Sequence, residues 1–212
     1  MNCALQVRWT TKLTSEEYVS RQHWQHASLP VCPLHPGGGC SYSRHGSYVR
    51  VKPKGTLIPR WYCPDGHATI SLLPDCFASR LTGTLVDLEQ VVATAEAAGS
   101  LTLVAHELRG ARWCGALRWL RRRARLVRQT LLVVVTLLPE AFIGCAPTLT
   151  IMRAKLRLPV DECLLVRLRE MAAAHLGAMP PPVGFGPRTW KAPRAKRRCQ
   201  QQTGPPRRRR QS

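Results

Sequence analysis

Acidic residues are scarce. Only 12 Asp and Glu stand against 32 Lys and Arg in 212 residues, a formal net charge of +20. An excess of that size predicts a polyanionic partner. Of the cations 26 are Arg and 6 Lys, so most are fork-shaped donors suited to phosphate and guanine edges. Long apolar runs are also lacking. The most apolar stretch, residues 130–138, lasts nine residues before Pro139 and Glu140, well short of the roughly 20 that span a bilayer, and is read as buried helix. The N-terminus shows no charged start followed by an apolar run, so no signal peptide is expected and a cytoplasmic, nucleoid-associated location is inferred. Aromatic residues make up only 6%. The groups Trp61, Tyr62 and Trp113, Trp119 read as core, which weighs against single-stranded RNA. Catalytic signatures are lacking too: there is no His-Glu-x-x-His motif, and neither His106-Glu107 nor Ser41 and His45 sit in a nucleophile elbow. No enzyme, no membrane partner and no small-molecule substrate are expected, and the length excludes a large multidomain enzyme.

What is present divides the chain in two. Cys3, Cys32, Cys40, Cys63 and Cys76 fall in the first 76 residues, where prolines and turn residues also concentrate. Residues 46–52 alternate apolar side chains with cations and residues 56–62 form a second extended run, which together predict a hairpin. From Leu81 the composition turns to Ala, Leu, Val, Glu and Arg at helical spacing. Thr84 with Asp87 three residues on starts a helix whose apolar positions are Leu85, Leu88, Val92 and Ala95, ending at Gly99. Ser100 opens a second helix over Leu101–Arg109, with Gly110 at its C-terminal end. A third, starting near Ala111, carries Trp113, Leu117, Leu120, Ala124, Val127, Leu131 and Val135 on one side and arginines on another. Residues 141–158 and 160–176 predict two more. Beyond Gly177 the text becomes proline, glycine and cations without an acid, which predicts a disordered tail. The expected fold class is α+β: a small zinc-ribbon β-hairpin module, then an all-helical helix-turn-helix-like bundle, then that tail. The boundaries are a leader (1–24), the ribbon (25–80), the helix-turn-helix-like unit (81–138), accessory helices (139–178) and the basic tail (179–212).

Nine cysteines, an odd number, favour thiols and metal over a disulfide framework. Cys32-Pro-Leu-His35-Pro-Gly-Gly-Gly-Cys40, then 22 residues, then Cys63-Pro-Asp-Gly-His67 gives two Cys-Pro knuckles flanking the hairpin. Zinc takes four tetrahedral N or S ligands, and each tight turn can present two from one short loop. The expected ligands are Cys32, Cys40, Cys63 and His67, with His35 as the alternative to Cys40, holding one structural Zn2+. The two-residue spacing favours His35; sulfur affinity and the Gly37-Gly38-Gly39 hinge favour Cys40.

The run Cys32 to Cys40, then Arg44-His45-Gly46-Ser47-Tyr48-Val49-Arg50, then Ile58-Pro59-Arg60-Trp61-Tyr62-Cys63, then Thr69-Ile70-Ser71-Leu72-Leu73-Pro74 resembles the N-terminal zinc-ribbon region of bacterial insertion-sequence transposases and related transposon-borne proteins. The likeness extends over about residues 25–125 and includes Arg118-Trp119-Leu120-Arg121-Arg122-Arg123, similar to the Arg-Trp-rich recognition helices of that group. It implies a ribbon followed by a helix-turn-helix. His67 stands where that family usually has Cys. The family's three-carboxylate nuclease has no counterpart: beyond the basic helix only Glu140, Asp161, Glu162 and Glu170 remain, in segments that read as helix.

Eight cations from Arg109 to Arg128, with no acid between Leu108 and Pro139, mark the third helix as a nucleic-acid face, because a merely soluble helix mixes signs. The candidate DNA-binding residues are Arg112, Arg118, Arg121, Arg122, Arg125 and Arg128, with Arg50, Lys52 and Lys54 from the hairpin. The expected function is double-stranded DNA binding by a transposase-like protein without its nuclease. The alternatives are a structural RNA-binding, ribosome-associated zinc-ribbon protein and an inactive transposase remnant.

Overall fold

Leu5, Val7 and Trp9 alternate along the first residues, the period of a strand with one face against a core. The computed structural model describes residues 3–110 and 113–186 and places those residues in β1 (Cys3–Trp9). Helix α1 (Ser15–Ser20) follows, started by a capping box in which Thr14 accepts from the Glu17 backbone and Glu17 accepts from that of Thr14. Then come β2 (Ser43–Val49), β3 (Leu57–Cys63) and β4 (Ala68–Pro74). The four strands form one sheet in the order β1-β4-β3-β2. The expected hairpin is β2 against β3, antiparallel, with a bulge between Arg44 and Ser47 that Gly46 allows through its positive φ of 70°. β1 lies parallel to β4. The residues expected to be a leader thus supply an edge strand and a helix, because Leu5, Val7 and Trp9 have an apolar cluster to pack against.

The helical half begins as its capping signals require. α2 (Leu85–Ala97) starts at a Thr84–Asp87 capping box, and α3 (Leu101–Arg109) stops at Gly110, whose φ of 84° suits a residue without Cβ. α4 (Ala116–Leu137) starts several residues later than expected. Its second half, the apolar stretch of the sequence, buries Thr130, Leu131 and Val134. No helix of the described residues is long and apolar enough to cross a membrane. The region beyond Pro139 forms three short helices instead of two: α5 (Pro139–Phe142), α6 (Leu149–Leu156) and α7 (Leu164–Met171). Gly144, with φ 72°, and Pro147 break the first expected helix, and Pro159 separates the last two.

Three apolar clusters hold these elements. The largest joins Tyr18 and Ile58 from the sheet side to Leu85, Leu88 and Val92 of α2, Leu131 of α4, Met152 of α6 and Leu168 of α7. The same cluster takes in Met179, Val183 and Phe185. Residues 179–186, expected to begin the disordered tail, are therefore part of the core; the expected tail from 187 onward lies outside the described residues. Gly184 makes this possible, since a Cβ there would stand 2.2 Å from the Met179 carbonyl oxygen. A second cluster of Ala27, Cys32, Trp61, Cys63, Ile70 and Leu72 lies on the sheet, and a third joins Ala95, Val104, Ala105, Ala116 and Leu120 where α2, α3 and α4 meet.

The connection between β4 and α2 is gripped by buried arginines. Arg169, fully buried, donates to the carbonyls of Asp75, Phe77, Pro182 and Val183. Arg50 donates to those of Ala78, Leu81 and Gly83, and Arg8 pairs with Asp75 at 2.6 Å. Burial draws the Arg169 guanidinium down to about 10, so it stays charged at neutral pH, and the carbonyl dipoles satisfy its N–H groups.

Candidate metal centre and nucleic-acid interface

The Cys-Pro-Leu-His segment folds as a turn in which the His35 N–H donates to the Cys32 carbonyl, and the chain then returns through Gly38 to Cys40. The second knuckle closes at the β3–β4 turn, where the His67 N–H donates to the Pro64 carbonyl and the Gly66 N–H to Cys63 Sγ at 3.3 Å. Gly66 leaves room for the neighbouring loop: a Cβ there would lie 2.6 Å from Leu34 Cδ1, which would have to shift, and 3.4 Å from Cys63 Sγ.

Together the two turns bring Cys32, His35, Cys40 and Cys63 into one group whose donor atoms all lie within 4.8 Å of one another. His35 Nδ1 is 3.7 Å from Cys32 Sγ and 3.4 Å from Cys63 Sγ. Ligands arranged tetrahedrally around one ion at metal–S and metal–N lengths of about 2.3 and 2.0 Å stand about 3.5–3.8 Å apart. The residues therefore fit one metal ion. Cys32 and Cys63 are buried, and His35 and Cys40 are half-buried. Burial opposes charge on Cys32, but hydrogen bonds from His35, the Leu34 backbone, Cys40 and Cys63 bring its thiol down to about 7. Cys40 moves the other way, pushed up to about 11 by burial and by the neighbouring sulfurs. Three thiols this close cannot all ionise without a cation among them, and a divalent ion supplies that charge.

The arrangement is three ligands from the first loop and one from the second. His35 and Cys40, weighed as alternatives, are both in the group. His67 is not. Its backbone adopts the left-handed region, with φ 44°, to close the turn, and its side chain is exposed to solvent. The Cys32-x-x-His35 spacing was the signal that pointed to the fourth ligand.

The candidate nucleic-acid residues separate by burial. Arg118, Arg121, Arg122, Arg125 and Arg128 are exposed on the first half of α4. The first four line a shallow depression of about 250 Å³ without any other residue type. Among the described residues none of the five forms an ion pair; the pairs present are Arg8–Asp75, Arg21–Glu17, Arg153–Glu89 and Arg167–Glu170. Lys52 and Lys54 are exposed in the loop between β2 and β3. Arg50 is not available as a DNA contact: it is 6% exposed and its guanidinium is occupied by the three carbonyls named above. Arg112 lies outside the described residues.

The tryptophans expected to be core also separate. Trp61 is buried, whereas Trp113 is 38% exposed. Arg109 lies over Trp113 at 4.1 Å and over Trp119 at 5.0 Å, and Arg123 over Trp119 at 4.1 Å. Burial, with Arg109 and Arg122 beside it, draws Arg123 down to about 10.

The chain matches no protein-family model, no curated protein and no solved structure.

Proposed function

We propose that this is a non-catalytic double-stranded DNA-binding protein in which one structural zinc ion fixes the strand module and α3 with α4 act as a helix-turn-helix. The observation that carries the reading is the face of α4: four arginines around one depression, with no ion pair among the described residues. Like charges gathered without counter-ions repel one another, and a polyphosphate relieves that repulsion while releasing its own counter-ions. The helix is also divided along its length. Its last turns are anchored in the core through Leu131 and Val134, and its first half buries Ala116 and Leu120 while presenting its arginines to solvent, the face a recognition helix offers to a major groove. α3 packs on that half through Val104 and Ala105 against Ala116 and Leu120, which suits the supporting helix of the motif.

Zinc is the metal that three thiols and one imidazole in a tetrahedral arrangement suit best. All four protein ligands are present and the donor set is largely closed, so the role assigned to the ion is structural. Kinship with the DNA-binding region of insertion-sequence transposases, without their nuclease, belongs to the same proposal, as does a location on the nucleoid.

The test is duplex affinity by fluorescence anisotropy. Replacing Arg118 and Arg122 together by Ala is expected to weaken duplex binding about ten-fold or more, whereas replacing Arg209 and Arg210 of the tail should change it about two-fold. Equal losses would overturn the recognition-helix assignment. Preference for an RNA duplex over a DNA duplex of the same sequence would overturn the DNA reading in favour of structural RNA.

A further inference from the structure

Beside the arginine face, on the other flank of α4, lies a much larger groove of about 1750 Å³. Its lining includes the β2–β3 loop with Lys52 and Lys54 and the Arg109, Trp113, Trp119 and Arg123 stack, and Arg122 lies on both the groove and the depression. Small-molecule pockets occupy roughly 300–1,000 Å³, so the size suits a segment of polymer.

The groove's lining is net positive: seven residues are Lys or Arg and four are Asp or Glu. Asp75 pairs with Arg8, Glu170 with Arg167, Asp87 accepts from the Thr84 N–H, and Glu16 accepts from the Ser15 hydroxyl. Among the described residues Lys12, Lys52, Lys54 and Arg122 form no ion pair. The aromatic wall is unusual for a surface with so few aromatic residues. The guanidinium carbons of Arg109 and Arg123 lie 4.1 Å from the Trp113 and Trp119 ring centroids, and Trp113 remains partly exposed. Unpaired cations and a partly exposed indole lining one groove have the composition of single-strand sites, where phosphates follow the cations and bases stack on rings.

We infer that this groove binds an unpaired DNA strand, with Lys52 and Lys54 along its phosphates and Trp113 as a stacking surface for its bases. The inference rests on the duplex-binding reading for its setting: Arg122 joins the two surfaces, so a strand leaving a duplex held on α4 passes directly into the groove. A protein of this design prefers a duplex end or fork to a blunt, fully paired site.

The experiment compares one blunt duplex, the same duplex with an oligo-dT overhang, and oligo-dT alone, on the full-length zinc-loaded protein. The overhang is expected to tighten binding at least about five-fold. Trp113→Ala should abolish that gain and leave blunt-duplex affinity unchanged, and Lys52→Ala with Lys54→Ala should lower oligo-dT affinity. Oligo-dT should quench tryptophan emission in the wild type and less in Trp113→Ala, a change a merely structural role would not produce. An overhang that adds nothing, or a Trp113→Ala variant that weakens blunt and overhang probes by the same factor, would overturn the inference. Failure of the blunt duplex to bind while oligo-dT binds in a Trp113-dependent way would overturn the duplex reading and leave the groove standing.

Discussion

Arginine serves two opposite ends in this chain, and the contrast between Arg169 and the α4 face shows how each use is built. Arg169 is fully buried, carries no carboxylate partner within ion-pair distance among the described residues, and donates to five backbone carbonyls from two separate segments. It ties residues 179–186 to the β4–α2 connection, and with Arg50 it fixes where the helical half starts relative to the sheet. Among the described residues Arg118, Arg121, Arg122 and Arg125 form no ion pair, and they are crowded at solvent. Their charge is of no use to the fold. A buried guanidinium bonded to backbone carbonyls stabilises the protein; an exposed group of them carries mutual repulsion that salt screens and an anionic partner relieves.

On the proposed reading an ion held by Cys32, His35, Cys40 and Cys63 fixes the strand module, and its loss is the largest effect expected. Cys63→Ser removes the only ligand from the second knuckle, so metal content, measured by elemental analysis, should fall from one ion per chain to none. Cobalt substitution of the wild type should show the charge-transfer absorption of three thiolates; two would remove Cys40 from the set. Next in size, Arg169→Met should lower unfolding free energy by at least about 3 kcal/mol in urea denaturation, because the carbonyls it satisfies become buried and unpaired. Arg122→Ala sharpens the comparison: stability should stay within about 0.5 kcal/mol while duplex affinity drops. A stability loss matching that of Arg169→Met would erase the distinction between the two arginine classes. The smallest effect is expected at His67, where replacement by Ala should leave metal content unchanged, since its exposed side chain is not among the ligands.

Local signals were legible in the sequence and long-range ones were not. The Thr84–Asp87 capping box and Gly110 marked α2 and α3 because those features act within one turn of helix. The β2–β3 hairpin was readable from alternation, and the Cys-Pro turns from their spacing. β1 was missed because its partner, β4, is some sixty residues away and parallel, a pairing no local pattern encodes. Arg50 was misread as a DNA contact because an arginine's type says nothing of whether its donors find carbonyls; three carbonyls of the 78–83 segment decide it. The stretch Pro180-Pro-Pro-Val-Gly-Phe-Gly has the composition of a linker, yet Val183 and Phe185 enter the core because Gly184 and Gly186 let the chain approach the Met179 carbonyl. His67 was misread for a related reason: a turn that presents one ligand uses its remaining residues for closure.

On the proposed reading the exposed arginines of α4 neutralise DNA phosphates, and the salt dependence of duplex affinity, measured for the wild type and for Arg118→Ala with Arg122→Ala, reads this out. If both arginines contact phosphates, the slope of log affinity against log salt should become shallower by about 1.8, or about 0.9 per contact removed. An unchanged slope, with the wild type bound as steeply as the variant, would place the DNA elsewhere on the protein and contradict the account.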